Sequence, residues 1–178
     1  MERLNLKRDL KRQHNKDQHR NCRSLGRATI EWILDNIEFG SNILELGSGL
    51  GTVILSHRYK MFSVEHNPAY VGKCPHAKYI HSLLMPDRWF DPVPIVRERP
   101  EEYDLLIIDS PNKRHGLMKH LDLFDPSVPW IFDDTNVEVT KEMVEDLAKM
   151  QDRKVSYYHA GINHTRKDKW WGLLEAAK

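Results

Sequence analysis

The sequence predicts an α/β fold: a mostly parallel sheet with helices on both faces and an antiparallel hairpin at its C-terminal end. Three observations carry that prediction. Short apolar runs alternate with stretches of helical periodicity through most of the chain. Two of those runs, within YDLLIID (103–109) and VPWIFDD (128–134), are apolar between their ends, as in strands covered on both faces. The last two runs follow one another without a helical pattern between them, so the second must turn back on the first.

Taken in order, SLGRATIEWILDNI (24–37) places Ile30, Ile33, Leu34 and Ile37 at helical spacing, with Ser24 as N-cap and Gly40 as terminator. NILEL (42–46) is a β-rich run, followed by a glycine-rich turn and by TVILSHRY (52–59), read as a helix. KMFSVEH (60–66) is the second strand, Asn67-Pro68 starts a new element, and AKYIH (77–81) is the third strand. Pro86, Pro92, Pro94 and Pro100 make the stretch from Leu83 to Glu102 mostly loop. YDLLIID is the fourth strand, a polar helix is expected from Asn112 to Phe124, and VPWIFDD is the fifth strand. EVTKEMVEDLAKM (138–150) aligns Val139, Met143, Leu147 and Met150 on one helical face. KVSYYHA (154–160) and KWWGLLEA (169–176) close the sheet as the hairpin.

The chain has 178 residues, a net charge of +1 and 40% hydrophobic residues, which suits one soluble globular domain. Charge is uneven, however. Residues 1–27 hold nine Lys/Arg against three acids, a balance of +6, and Lys11 to Asn21 offers no apolar side chain to a core. Residues 1–22 are therefore read as a basic arm, flexible or helical, and 23–178 as the folded domain. The arm is either a solvated extension or a contact for phosphate. Cys22 and Cys74 are the two cysteines and lie far apart, and no apolar run reaches the length of a membrane span or signal peptide. Reduced thiols in the cytoplasm are the expectation.

Acidic residues collect where the predicted strands end: Glu45, Glu65, Asp109, Asp133 and Asp134. In open parallel sheets ligands bind outside those ends. The turn after the first strand reads Gly47-Ser48-Gly49-Leu50-Gly51-Thr52, and a dinucleotide fingerprint would need its third glycine where Thr52 stands. Glu45 before the turn suits a cationic ligand. Glu65, 18 residues after Gly47, can accept both hydroxyls of a ribose. A nucleoside with a positively charged tail, S-adenosylmethionine, meets both conditions.

ILELGSGLGT, FSVEHNPAYV, YIHSLLM, YDLLIIDSP and WIFDDTN, in this order, resemble a class I S-adenosylmethionine-dependent methyltransferase over about residues 40–140. The resemblance implies a Rossmann-like, seven-stranded, mostly parallel sheet with the reversed hairpin last. It implies that Glu45, Gly47, Ser48, Gly49, Gly51 and Thr52 surround the methionine portion and that Glu65, with His66 beside it, holds the ribose. It places Ser82 and Leu83 near the adenine and Asp109 at the methionine end, facing the substrate. Many family members carry an acid where this chain has Ser82.

Three carboxylates on two neighbouring strand ends repel unless a proton or a cation is shared. Asp109, Asp133 and Asp134 are similar in position to the acids that hold a divalent metal, Mg2+ for example, in catechol-type and macrolide-sugar O-methyltransferases; all-oxygen ligands suit such an ion. The alternative is that Asp134 caps the next helix while Asp109 acts alone as base or cofactor contact. Asn136 is a further oxygen donor. Lys113, with Arg114 and His115, could orient an acidic substrate or act as base, or could simply begin a solvated helix. Trp89 and Phe90 are either a substrate wall or a loop anchor. The methyl acceptor is accordingly expected to be a hydroxyl of a small molecule or sugar. A nucleic-acid or protein methyltransferase using the basic arm is the rival, although DSPN (109–112) lacks the aromatic that stacks on a base in the D/N-P-P-aromatic turn of amino-methyltransferases. A cofactor-binding module serving a partner is the third class.

Overall fold

A computed structural model describes residues 25–110, 114–162 and 168–177 of the chain. The basic arm, Ser24 and Lys113 lie outside the described residues. Seven strands form one sheet: β1 (Asn42–Leu46), β2 (Lys60–Glu65), β3 (Lys78–His81), β4 (Leu105–Ile108), β5 (Trp130–Phe132), β6 (Val155–Ile162) and β7 (Asp168–Leu174). Their order across the sheet is β3-β2-β1-β4-β5-β7-β6. All pairs are parallel except β5 with β7 and β7 with β6. The fold is thus the expected seven-stranded Rossmann-like sheet with a reversed hairpin at one end.

The two-residue period of the strands divides the core into two layers. Leu44, Leu46, Leu106, Ile108, Trp130 and Phe132 face one layer. Ile43, Leu105, Ile107 and Ile131 face the other. On the second face lie α1 (Arg27–Asn36) and α2 (Leu50–Leu55), contributing Ile30, Ile33, Leu34, Ile54 and Leu55. On the first face α3 (Pro92–Glu98) and α4 (Glu138–Met150) bring Ile95, Met143, Val144 and Leu147. The helix face read from the sequence holds for Met143 and Leu147, whereas Val139 and Met150 at its margins are exposed.

Four stretches differ from expectation. α1 ends at Asn36, with Ile37 already extended, and Gly40 (φ +91°) lies in the turn beyond it. Residues 66–77 between β2 and β3 are turns, organised by Asn67, whose Oδ1 accepts from Ala69 N at 3.0 Å. The proline-bearing stretch contains α3. Pro92 and Pro94 sit in its first turn, where the backbone N–H has no partner within the helix in any case, and the Asp91 carboxylate caps Val93 N at 2.9 Å. The helix expected over 112–124 is instead two short 3-10 segments, Arg114–Lys119 and Leu121–Leu123. Gly116 explains part of that: a Cβ there would lie 2.4 Å from Trp89 Cβ, so the residue that fits the close approach is the poorest helix former after proline.

Trp89 and Phe90 are 1% and 0% exposed and act as loop anchors, their rings edge to face at 5.5 Å. Trp171 is buried against Tyr158 (4.5 Å, stacked) and Trp32 (5.7 Å, edge-on), so it joins the hairpin to α1, while Trp170 is exposed. Among the described residues, no helix is long and apolar enough to cross a membrane.

Candidate functional site

The turn after β1 is shaped by its neighbours. Gly47 has φ +101°, and a Cβ on it would lie 2.4 Å from the carbonyl oxygen of Asp109 at the end of β4. Only glycine tolerates both the dihedral and the contact. Gly51 is backed by Leu25, whose Cδ1 would stand 2.9 Å from an added Cβ. Gly49 is extended and donates its N–H to Thr52 Oγ1 at 3.0 Å. Thr52 Oγ1 in turn donates to Glu45 Oε2 at 2.5 Å, and Ser63 Oγ donates to the same oxygen at 2.8 Å. Glu45 is 1% exposed. Burial raises its carboxyl to about 7; the two hydroxyls pull it down and the Glu65 charge adds a smaller push upward. Glu45 therefore lies beneath the glycine turn and holds it through Thr52.

Glu65, at the end of β2, is also buried. Its Oε2 accepts from Ser48 N at 3.0 Å, and its Oε1 accepts from Asn67 N at 2.7 Å and lies 3.0 Å from His66 Nδ1. One carboxylate thus joins the glycine turn to the loop after β2. Each oxygen has two lone-pair sites, so a held carboxylate of this kind retains capacity for ligand hydroxyls. Ser48 Oγ donates to Tyr79 Oη at 3.3 Å, which also accepts from Cys74 N at 3.1 Å. After β3, the buried Ser82 hydroxyl donates to Asp91 O at 2.8 Å, while Leu83 is 65% exposed. His81 Nε2 lies 3.2 Å from His66 O.

On the other side of the turn the three aspartates converge. One carboxylate oxygen from each of Asp109, Asp133 and Asp134 lies within 4.8 Å of the others. Asp133 is 1% exposed, and Asp134 adopts φ +56°, a left-handed conformation that aspartate tolerates better than most residues. The span suits a hard divalent cation. An ammonium already lies among these groups, however: Lys169 Nζ is 2.6 Å from Asp133 Oδ2 and 3.6 Å from Asp134 Oδ1, with its side chain 15% exposed. Burial alone would lower the Lys169 pKa, but Asp133, then Asp134 and Asp109, outweigh it, and the ammonium titrates above its usual value. Asn136 Oδ1 accepts from Trp170 N at 3.4 Å, and Thr135 N donates to Trp170 O at 2.9 Å, which ties the loop after β5 to β7.

Lys169 and Ser63 are the site residues that sequence reasoning missed. The signal for Lys169 was the reversed strand. Because β7 runs antiparallel to β5, with Phe132 opposite Gly172, its first residues stand at the rim where the parallel strands end. The signal for Ser63 was a polar residue within the apolar run Met61–Val64, and the register of β2 on β1 sets it opposite Glu45.

No protein-family model matches the chain, and no curated protein matches it in sequence. Solved structures do match its shape. The O-methyltransferase from Bacillus cereus in complex with SAH is 15% identical, with 96% of this chain and 90% of that chain covered at a TM-score of 0.63. The O-methyltransferase TomG from Streptomyces achromogenes, in complex with SAM, is 14% identical over 86% of this chain and 82% of that chain, at a TM-score of 0.58. An rRNA methylase from Streptococcus thermophilus is 13% identical over 85% of this chain and 95% of that chain, also at 0.58. The chain shares its fold with these three methyltransferases.

Proposed function

We propose that this chain transfers a methyl group from S-adenosylmethionine to a hydroxyl of a small molecule or sugar. The observation that carries the reading is the adjacency of Asp109 to the glycine turn: the place of the missing Gly47 Cβ is 2.4 Å from the Asp109 carbonyl oxygen. The bare turn, on which a ligand can lie, is thus packed against the backbone of the residue whose carboxylate belongs to the aspartate rim. The O-methyltransferases of the same shape, described with SAH or SAM, support it.

The residues present fit the cofactor. Glu65 would hold the ribose, and the Gly47–Gly51 backbone, backed by Glu45 and Thr52, would lie along the methionine portion. When bound, the cofactor supplies a methyl on a sulfonium whose charge is lost as the carbon–sulfur bond breaks and the carbon–oxygen bond forms. The chain's own work is to align the acceptor oxygen, exclude water, and receive the hydroxyl proton on the Asp109 carboxylate. Asp109→Asn is expected to lower kcat by about a hundredfold or more while leaving S-adenosylhomocysteine affinity within about threefold, measured by radiolabelled methyl transfer and calorimetry. Unchanged turnover would remove Asp109 from proton transfer. No calorimetric heat with S-adenosylhomocysteine would sink the cofactor reading itself.

A second reading is favoured by the nine Lys/Arg of residues 1–27 and by the rRNA methylase of like shape: the acceptor is a nucleic acid. Deletion of residues 1–21 separates the two. For a small acceptor KM stays within about twofold; for a nucleic acid it rises steeply and loses its dependence on salt.

A further inference from the structure

Two of the three carboxylates at the rim, Asp133 and Asp134, already pair with a cation that belongs to the chain, Lys169. We propose that the Lys169 ammonium stands in place of a divalent ion among Asp109, Asp133 and Asp134, so that the rim is held together without metal. The inference deepens the proposed function and rests on it only for the purpose of the rim; its test uses neither cofactor nor turnover.

The geometry leaves room for one cation. A hard divalent ion on Asp133 Oδ2 would sit about 2.1 to 2.5 Å from that oxygen, and Lys169 Nζ is already 2.6 Å from it. On that shared oxygen the two cations would stand only about 4 Å apart and would repel each other. The ammonium is also held there by the fold. Trp170, the next residue, bonds through N to Asn136 and through O to Thr135, so the backbone that carries Lys169 is clamped to the loop that carries Asp133 and Asp134. One positive charge against three carboxylates leaves the rim negative. That surplus suits a site where an acceptor's proton is taken up by a carboxylate, and a divalent ion in the ammonium's place would halve it.

Titration of wild-type protein with Mn2+, followed by the electron paramagnetic resonance of the free ion, should show no site tighter than on the order of 1 mM. Lys169→Met should gain a Mn2+ site at least about tenfold tighter than anything in wild type, and Lys169→Met with Asp133→Asn should lose it. A wild-type Mn2+ site tighter than that limit and abolished by Asp133→Asn overturns the proposal, as does a folded Lys169→Met that gains no site. Should Lys169→Met fail to fold, the wild-type titration decides alone. Calorimetry with S-adenosylhomocysteine on the same wild-type samples reports the cofactor reading separately, so failure of either is distinguishable.

Discussion

Glu45 shows how one side chain can tie the glycine turn to the solution pH. Its carboxyl is buried under α2, bonded by Thr52 and Ser63, and raised to about 7 from an ordinary 4.5. The folded chain therefore binds this proton more tightly than the unfolded chain. The resulting stability is fully present below about pH 4.5 and is lost as pH rises through about 7, a swing of about 3 kcal/mol if nothing else responds. Glu45→Gln keeps the side-chain shape and has no charge to bury. Urea midpoints should match wild type near pH 5 and exceed it at pH 8.5 by about 1 to 3 kcal/mol of stability. Equal midpoints at pH 8.5 would mean that the carboxylate is charged and compensated in the fold. A cationic ligand above the turn would favour the charged form, so binding should release a proton near neutral pH.

At the scale of elements, periodicity was informative and local chemistry less so. β4 and β5 were readable because a run such as LLII, apolar at every position, has few other uses in a chain of this composition. α3 was hidden because its prolines read as breakers, although position decides their effect: in the first turn they cost no hydrogen bond. The aspartate before them was the missed cue. Asp91→Ala is expected to cost about 1 kcal/mol by denaturant unfolding, since Val93 N then loses its acceptor. A cost within about 0.2 kcal/mol would mean that packing by Ile95 alone defines this helix. The 3-10 segments were illegible for a different reason. The constraint on Gly116 is the indole of Trp89, 27 residues away, and no local window contains it.

For the molecule as a whole, the candidate site lies where the parallel strands of the sheet end. Glu45, Glu65 and the three aspartates were found from the rule that ligands gather at the ends of parallel strands. Lys169 was not, because the rule is silent on a strand that enters from the opposite side. The same reversal makes Trp171 a joint between halves of the fold, touching Tyr158 of β6 and Trp32 of α1. Trp171→Ala should cost about 3 to 5 kcal/mol by thermal or urea unfolding; a cost below about 1 kcal/mol would show the hairpin to be held by its backbone ladder alone.

The interior place of β7 also has a consequence for how the protein is made. The ribosome delivers this strand after the other six, yet it belongs between β5 and β6. Until it emerges, β5 presents an open, apolar border to the cell, the kind of border on which nascent chains stick to one another. The aspartate rim meanwhile waits for its positive partner. Sheet closure and the rim's partial charge compensation are thus delivered by one late segment, and a chain released before that point leaves both undone.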